Sequence, residues 1–447
     1  MSGNREQWNS RLGFILATVG SAVGLGNVWR FPTVVVRSGG GAFVILFLLI
    51  VLLIGIPMIM AELSLGRASK KNIVATFSTL APGSRWWLVG YLALATVFII
   101  LSFYSVIAGW ALIYSAGSVL GLFSGLDTGG LTEIHNQLIG HPVIPVVGQA
   151  IFILATIIIV LAGVTGGIER ISKVLMPGIL AILLVLLVRT LLLENALEGV
   201  LWFIRPNLEL LTFNTALDAV GQVFFSFSLG MGAILTYGSY LPSREDIPRS
   251  SFLIGFSDVA IAVLMGLIVI PALFAFDIEP GIGPGIVFVT LPAIFNTLPA
   301  AIVWSSLFFL MLSFAALTSY VSLMEVIVAY LIDEKKWPRK TAAVAIGTII
   351  FIAGVPASLS QGIWADRLIL GRSILDFMDF ISSNIFLPIS GLFTVIFLGW
   401  IWGTARALEE VEKGSHRFAF RSSWSLVIRF IIPAALTYIF IAGIRGQ

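Results

Sequence analysis

Eleven apolar segments, each near the roughly 20 residues that cross a bilayer as a helix, run through the chain. They fall at about 12–36, 42–65, 87–118, 143–163, 171–193, 214–238, 251–275, 300–331, 341–358, 375–402 and 424–443. Lipid offers no partner to backbone N–H and C=O groups, so segments of this kind fold as helices. The expected fold class is therefore all-α and polytopic. Only 11% of the 447 residues are charged, against roughly 25% in soluble domains, so length here counts spans and not soluble domains. The pI is near 9.2, but the cations do not gather on a soluble face, and nucleic acid is not an expected partner. Cys is absent, which excludes disulfides and thiolate metal sites. His135, His141 and His416 lie in polar connections and form no cluster. The polar start MSGNREQWNSR lacks the features of a cleavable signal, so the first span is expected to direct insertion. Residues 276–299 read as a structured external loop with a short helix.

Lys and Arg give the expected orientation. With the N-terminus inside, most of the 26 fall on the cytoplasmic side, among them Arg11, Arg67, Lys173 and Arg339. An odd span count then leaves the C-terminus outside. These loop charges read as topology signals with no further role. The expected location is the cell membrane, multi-pass, with a cytoplasmic N-terminus.

Two of the apolar segments carry helix breakers at their centres. GSAVGLGNVWRFP at 20–32 holds Gly20, Gly24, Gly26, Asn27 and Arg30 ahead of Pro32, and GQVFFSFSLGMGAILTYGSY at 221–240 holds Ser226, Ser228, Gly230 and Gly232. Unwinding a helix frees backbone groups that lipid cannot satisfy, so it is tolerated only beside a polar ligand or a cavity. Carbonyls freed at Gly20, Ala22 and Val23 are hard ligands suited to Na⁺. N–H groups freed near Leu25 and Gly26 begin a half-helix whose positive end suits a carboxylate. The plain alternative is close helix packing through small residues. Breaks in the first and sixth spans occupy matching places in two five-span halves, the pattern of a transporter built from inverted repeats with its site at the midplane. The expected organisation is one transmembrane domain, 1–447, with a first repeat at 12–193, an inverted second repeat at 214–402 and an extra helix at 424–443.

REQW at 5–8, GSAVGLGNVWRFP, SGGGAF at 38–43, GIP at 55–57 and the AEL…GR run at 61–67 resemble the neurotransmitter:sodium symporters. The likeness is strongest to the bacterial and archaeal amino-acid transporters typified by the leucine transporter. GIERISKVLMP at 167–177, GQVFFSFSLGMG at 221–232, TLPAIF at 290–295, FAALTSY at 314–320 and LDFMDF at 375–380 extend the resemblance from residue 5 to about 443.

The resemblance implies two Na⁺ sites. One would use Ala22, Asn27, Ser226 and Asp258 together with the substrate carboxylate. The other would use Gly20, Val23, Ala315, Thr318 and Ser319. The substrate carboxylate would meet the N–H groups of Leu25 and Gly26 and the Tyr104 hydroxyl, and its amine the carbonyls of Ala22, Phe225 and Ser228. Its side chain would lie against Gly24, Ile100, Tyr104, Phe225, Met231, Ser319 and Leu323, with Ser226 alongside. An outer gate would pair Arg30 with Asp379 beneath a Phe225 lid. An inner gate would pair Arg5 with Asp333, helped by Trp8 and Tyr240. Gly167 and Pro177 would let the fifth span unwind on its inner side; Pro removes a helical hydrogen bond, so local weakness also follows from its chemistry. Packing roles for Met231, an ordinary ion pair for Arg30 and Asp379, and a static kink at Pro177 stand as the plain alternatives.

Three buried acids stand out. Asp258 lies in the seventh span, where an unpaired charge costs ~2.5–3.5 kcal/mol, and a sodium ion would neutralise it. A fixed carboxylate there would replace the chloride that some relatives require, so chloride is not an expected cofactor. Glu62 is expected to bond the unwound backbone of a broken helix. Glu325 stands where the leucine transporter has a neutral amide, and would bond Tyr240 or share Arg5.

Ser226 keeps the hydroxyl of the Thr found in the leucine transporter, and Met231 replaces a Phe. With Gly24 small, the pocket is expected to favour aliphatic and aromatic L-amino acids. Two Na⁺ per zwitterion move two charges, worth ~4.6 kcal/mol at 100 mV, enough for roughly thousandfold accumulation. The competing readings are a symporter of another small solute, proton coupling on the same fold and a non-transporting sensor. An enzyme is not expected, because the loops offer no His–carboxylate or Ser–His constellation. Partners are thus an amino acid, Na⁺ and the bilayer, with oligomeric state open.

Overall fold

A computed structural model describes residues 6–276, 285–414 and 418–445. Among them, nine helices are long and apolar enough to cross a membrane: Gly41–Ser69 (span 2), Trp87–Val119 (span 3), Ile144–Leu161 (span 4), Val164–Leu191 (span 5), Ile247–Ala275 (span 7), Ala301–Lys335 (span 8), Arg339–Leu359 (span 9), Ile374–Glu412 (span 10) and Arg421–Gly443 (span 11). Span 1 is Arg11–Ala22 followed by Gly26–Arg37, bent by 55° at the break. Span 6 is Phe213–Ser226 followed by Ala233–Ser239, neither half long enough to cross alone.

Local chemistry sets the helix starts. The Ser10 hydroxyl accepts from Gly13 N at 3.0 Å and opens span 1. Thr212 and Thr215 form a capping box ahead of span 6, and Asp246 caps span 7 from the Arg249 N–H. Spans 3 and 8 pack along each other and meet span 1, while spans 2 and 7 flank the breaks. Small residues permit the closest approaches. A Cβ on Gly66 would stand 2.0 Å from the Leu235 carbonyl, and one on Gly238 would stand 2.8 Å from the Leu63 carbonyl. The second half of span 6 is thereby held directly against span 2.

Three expectations are corrected. Span 5 begins at Val164 and not at 171, because the polar run VTGGIE forms a π-helical turn inside the helix. That turn is buried against span 4: a Cβ on Gly167 would stand 2.0 Å from the Ile159 carbonyl. The helix is continuous from Val164 to Leu191, with Gly167 and Pro177 both inside it. Span 10 continues to Glu412, ten residues past its expected end at 402.

Third, several of the loop charges expected to act only as topology signals are bonded within the protein. Arg67 is buried, with Nε 2.8 Å from Glu410 Oε1 and further bonds to the Glu245 and Glu410 carbonyls. Lys173 pairs with Glu169 at 2.6 Å, Arg11 with Glu245 at 3.1 Å, and Arg339 with Glu325 at 2.8 Å. Sequence spacing hides these pairs, because most of the partners come from distant spans.

The loop between spans 7 and 8 carries the expected short helix, Ile286–Asn296. Against it lies Thr128–Gly140, the helix between spans 3 and 4. Its His135 is buried, with Nδ1 2.9 Å from the Tyr114 hydroxyl and its ring stacked on Phe288 at 5.7 Å and edge-on to Trp110. Burial lowers the pKa of His135 to about 4, against about 6.5 when unfolded. The neutral ring therefore contributes fully above pH 6.5, and its contribution is lost as pH falls from 6.5 toward 4. The whole window is worth roughly 3 kcal/mol. Thermal melting in detergent should fall across that window, and His135→Gln should flatten the fall. An unchanged slope in the variant would contradict this.

Candidate functional site

The breaks in spans 1 and 6 face each other. The last backbone bond of the first half of span 1 is Val23 N to Val19 O at 2.7 Å, and the next along the chain is Asn27 N to Gly24 O at 3.2 Å. Between them the carbonyls of Gly20, Ala22 and Val23 leave the helical ladder. In span 6, Ser228, Gly230 and Gly232 adopt φ of 52°, 75° and 78°. Glycine takes this left-handed region freely, whereas Ser228 does so at a cost. Glu62 Oε1 accepts from Gly230 N at 2.7 Å, and the Ser390 hydroxyl donates to Gly230 O at 2.6 Å. The expected contact between Glu62 and the broken backbone is present.

Asn27, Ser226 and Asp258 meet across spans 1, 6 and 7, all buried. Asn27 Nδ2 donates to Asp258 Oδ1 at 2.7 Å. The Ser226 hydroxyl lies 2.7 Å from Asp258 Oδ2 and 2.6 Å from Asn27 Oδ1. It has one proton for two acceptors. No Lys or Arg pairs with Asp258 among the described residues, so its charge has no cationic side chain to neutralise it. A buried, uncompensated carboxylate ringed by a hydroxyl and an amide oxygen is a donor set that fits a small hard cation.

The second set gathers between spans 1 and 8. A Cβ on Gly20 would stand 3.1 Å from Thr318 Cβ. The Thr318 hydroxyl donates to Phe314 O at 3.2 Å and Ala315 O at 3.1 Å, and the Ser319 hydroxyl donates to Ser21 O at 3.1 Å. Both hydroxyl protons are directed onto carbonyls, so the oxygens keep lone-pair density for a cation.

The remaining residues surround the break in span 1. A Cβ on Gly24 would stand 3.0 Å from Ser319 Oγ and 3.1 Å from Tyr104 Oη, and one on Gly26 would stand 2.7 Å from the Phe225 ring. Leu25 N points at Tyr104 Oη from 3.4 Å. Ile100 lies one turn from Tyr104 on span 3, and Leu323 one turn from Ser319 on span 8. Met231 is buried between the two glycines of the span 6 break. Leu25, Tyr104 and Phe225 also line a cavity of about 350 Å³ that includes Arg30, Asp218 and Asp379.

The model of the sodium:neurotransmitter symporter family matches residues 5–123 and 133–446. The chain is 38% identical over 438 residues to an uncharacterised sodium-dependent transporter of Bacillus subtilis, covering 97% of each. A sodium-dependent transporter of Methanocaldococcus jannaschii is 32% identical over 452 residues, covering 97% of this chain and 89% of the relative. The crystal structure of MhsT in complex with L-phenylalanine aligns with a TM-score of 0.91 at 42% identity, covering 98% of this chain and all of that one. The chain belongs to the sodium:neurotransmitter symporter family.

In this symporter the two faces of the site differ. On the cavity side, Arg30 lies over the Phe225 ring at 4.6 Å. It makes no ion pair with Asp379, whose Oδ1 accepts from the Ser383 hydroxyl at 2.8 Å instead. The expected outer pair is therefore apart, with both members on the cavity wall. The N-terminal side is packed shut. Trp8 is buried, with Nε1 donating to Tyr237 O at 3.0 Å and its N–H to Tyr240 O at 3.3 Å. The Tyr240 hydroxyl donates to Glu325 Oε1 at 2.8 Å, as expected, and Arg339 bonds both Glu325 oxygens at 2.8 and 3.0 Å. Glu6 reaches Arg339 at 3.7 Å and accepts from Val164 N at 2.8 Å. Asp333 accepts from Asn72 N at 3.0 Å. Arg5, its expected partner, lies outside the described residues. Arg339, Glu6 and Ser21 carry this architecture unannounced by the sequence: Arg339 begins the next span, 14 residues from Glu325, where no helical spacing links them.

Proposed function

We propose that this symporter couples inward movement of Na⁺ to uptake of hydrophobic L-amino acids, aliphatic and aromatic, by alternating access and without chloride. The observation that carries the proposal is the uncompensated Asp258 carboxylate, bonded to Asn27 and Ser226 next to the span 1 break. Sodium is here a transported substrate. Asn27, Ser226, Asp258 and the Ala22 carbonyl would hold one ion; Gly20, Val23, Ala315, Thr318 and Ser319 would hold the other. A fixed negative charge at Asp258 supplies what an external anion would otherwise bring, which is the reason for expecting chloride independence.

The amino-acid carboxylate would rest on the N–H groups of Leu25 and Gly26 and on the Tyr104 hydroxyl. The amine would meet carbonyls of Ala22, Phe225 and Ser228. The side chain would enter the space bounded by Gly24, Ile100, Met231, Ser319 and Leu323. The bound L-phenylalanine in the similar structure supports a hydrophobic substrate. Closure of Phe225, with Arg30 moving to Asp379, would seal the cavity side; release of Trp8, Tyr240 and Asp333 would open the other. Residues 12–193 and 214–402 would act as the two inverted repeats around this site, with the N-terminus cytoplasmic in the cell membrane.

Sodium-dependent binding of labelled leucine, phenylalanine and tryptophan to the purified protein tests the substrate class. Glycine, lysine and glutamate should not compete. A preference for the charged amino acids would overturn the hydrophobic assignment. Gly24→Ala places a methyl 3.0–3.1 Å from Ser319 and Tyr104. It should weaken tryptophan binding by at least about fivefold, an overpacking cost of roughly 1–3 kcal/mol, and leucine binding by less. Equal affinities in parent and variant would remove Gly24 from the pocket.

A further inference from the structure

Three serines close a ring of hydroxyl bonds at the span 1 break, a fourth joins it from span 6, and no role proposed above uses the ring. Ser319 Oγ donates to Ser21 O at 3.1 Å, and Ser322 Oγ donates to Ser319 O at 2.7 Å. Ser21 Oγ and Ser322 Oγ are 2.6 Å apart. A hydroxyl has one proton. That of Ser322 is placed on the Ser319 carbonyl, so Ser21 must donate to Ser322. The bonds therefore run in one direction around the ring: Ser21 to Ser322, Ser322 to the Ser319 carbonyl, and Ser319 back to the Ser21 carbonyl. From span 6, Ser228 adds its own hydroxyl to Ser21 O at 3.2 Å. All four residues are buried.

This arrangement has two physical consequences. The Ser21 carbonyl, freed by the break, has both lone pairs taken by hydroxyl protons, so it is withdrawn from cation binding and leaves that role to its neighbours. The Ser319 proton is held away from the space facing Gly20 and Thr318, so Ser319 presents oxygen and not hydrogen to an ion there. Ser228 holds a left-handed φ of 52°, and its bond to Ser21 offsets part of that strain.

We infer that Ser21 and Ser322 are positioning residues: with Ser228 they form a hydroxyl clasp that registers spans 1, 6 and 8 and orients Ser319 as a ligand for the sodium ion at Thr318. The inference rests on the proposed sodium coupling. Neither Ser21 nor Ser322 touches the ion or the amino acid. Removing the Ser322 hydroxyl leaves the Ser21 hydroxyl without its acceptor and breaks the side-chain tie between spans 1 and 8 that sets the register of Ser319 against the Ser21 carbonyl.

The test is the sodium dependence of labelled leucine binding, measured in the parent, Ser322→Ala, Ser21→Ala, the double variant and Ser322→Thr. In Ser322→Ala, half-saturating Na⁺ should rise about fivefold, the worth of one net hydrogen bond. Leucine affinity at saturating Na⁺ should stay within twofold of the parent, a split that general loosening of the fold would not give. Ser21→Ala should act alike, the double variant should add little to either, and Ser322→Thr should restore the parent value. Unchanged sodium dependence in both alanine variants would overturn the clasp. So would a loss of leucine affinity at saturating Na⁺ equal to the sodium shift. A parent protein that binds leucine without regard to Na⁺ would overturn both the clasp and the functional reading, and would do so before any variant is compared.

Discussion

Asp258→Asn should lower apparent sodium affinity between tenfold and a hundredfold, and should make chloride stimulatory. The carboxylate is buried, is bonded by Asn27 and Ser226, and faces no cationic side chain among the described residues. An interaction with a charged group is worth roughly 1.5–3 kcal/mol, and ~1.4 kcal/mol is tenfold. Asn is nearly isosteric, so it keeps the packing and removes only the charge. An anion from solution would then supply part of what was lost. Sodium titrations of amino-acid binding, with chloride and with gluconate, measure both effects. A half-saturating Na⁺ unchanged by the substitution, with no response to chloride, would contradict the role given to Asp258.

Arg339→Ala should open the N-terminal side. Glu325 is fully buried and its charge is matched by Arg339 at 2.8 Å. Removing one partner of a buried pair costs roughly 3–5 kcal/mol, because the other charge is left stranded. The stranded Glu325 gains by reaching water, so the variant should favour arrangements in which Trp8 and Tyr240 have moved aside. The chain has no Cys, so a single Cys at the buried position Ala329, one turn from Glu325, reports on access. Its labelling by a polar maleimide should quicken at least tenfold in Arg339→Ala, while sodium-dependent amino-acid binding weakens. Adding Glu325→Gln, which removes the stranded charge, should restore much of the slow labelling. Equal labelling rates with and without Arg339 would show that the pair does not hold this side shut.

The features legible in the sequence are those written in local chemistry. Gly20, Gly24 and Asn27 in one apolar segment, and Ser226, Ser228 and Gly230 in another, mark the two breaks, because lipid forbids unwinding without a polar reason. Motif likeness then brings Asn27, Ser226 and Asp258 together, and the structure places their polar atoms within 2.7 Å of one another. What stayed hidden depends on partners remote in sequence. Arg67 reads as a topology charge in the sequence, and only the fold puts Glu410 beside it. Arg339 does likewise with Glu325. VTGGIE falls outside the apolar segment at 171–193 because it is polar and glycine-rich, yet span 4 lies so close that only Gly fits at 167 and the turn stays helical. The outer pair of Arg30 and Asp379 shows a different limit. Sequence names the members of an expected pair but not whether they are joined, and here Arg30 rests on Phe225 instead.

Sodium-coupled amino-acid transport is tested most directly by uptake of labelled leucine or phenylalanine into proteoliposomes under an inward Na⁺ gradient, compared with K⁺ and repeated without chloride. Accumulation that requires Na⁺, persists without chloride and collapses when the sodium gradient is dissipated is the predicted result. Equal uptake in Na⁺ and K⁺, or no accumulation of any amino acid alongside no sodium-dependent binding, would leave the fold intact and contradict sodium-coupled amino-acid transport.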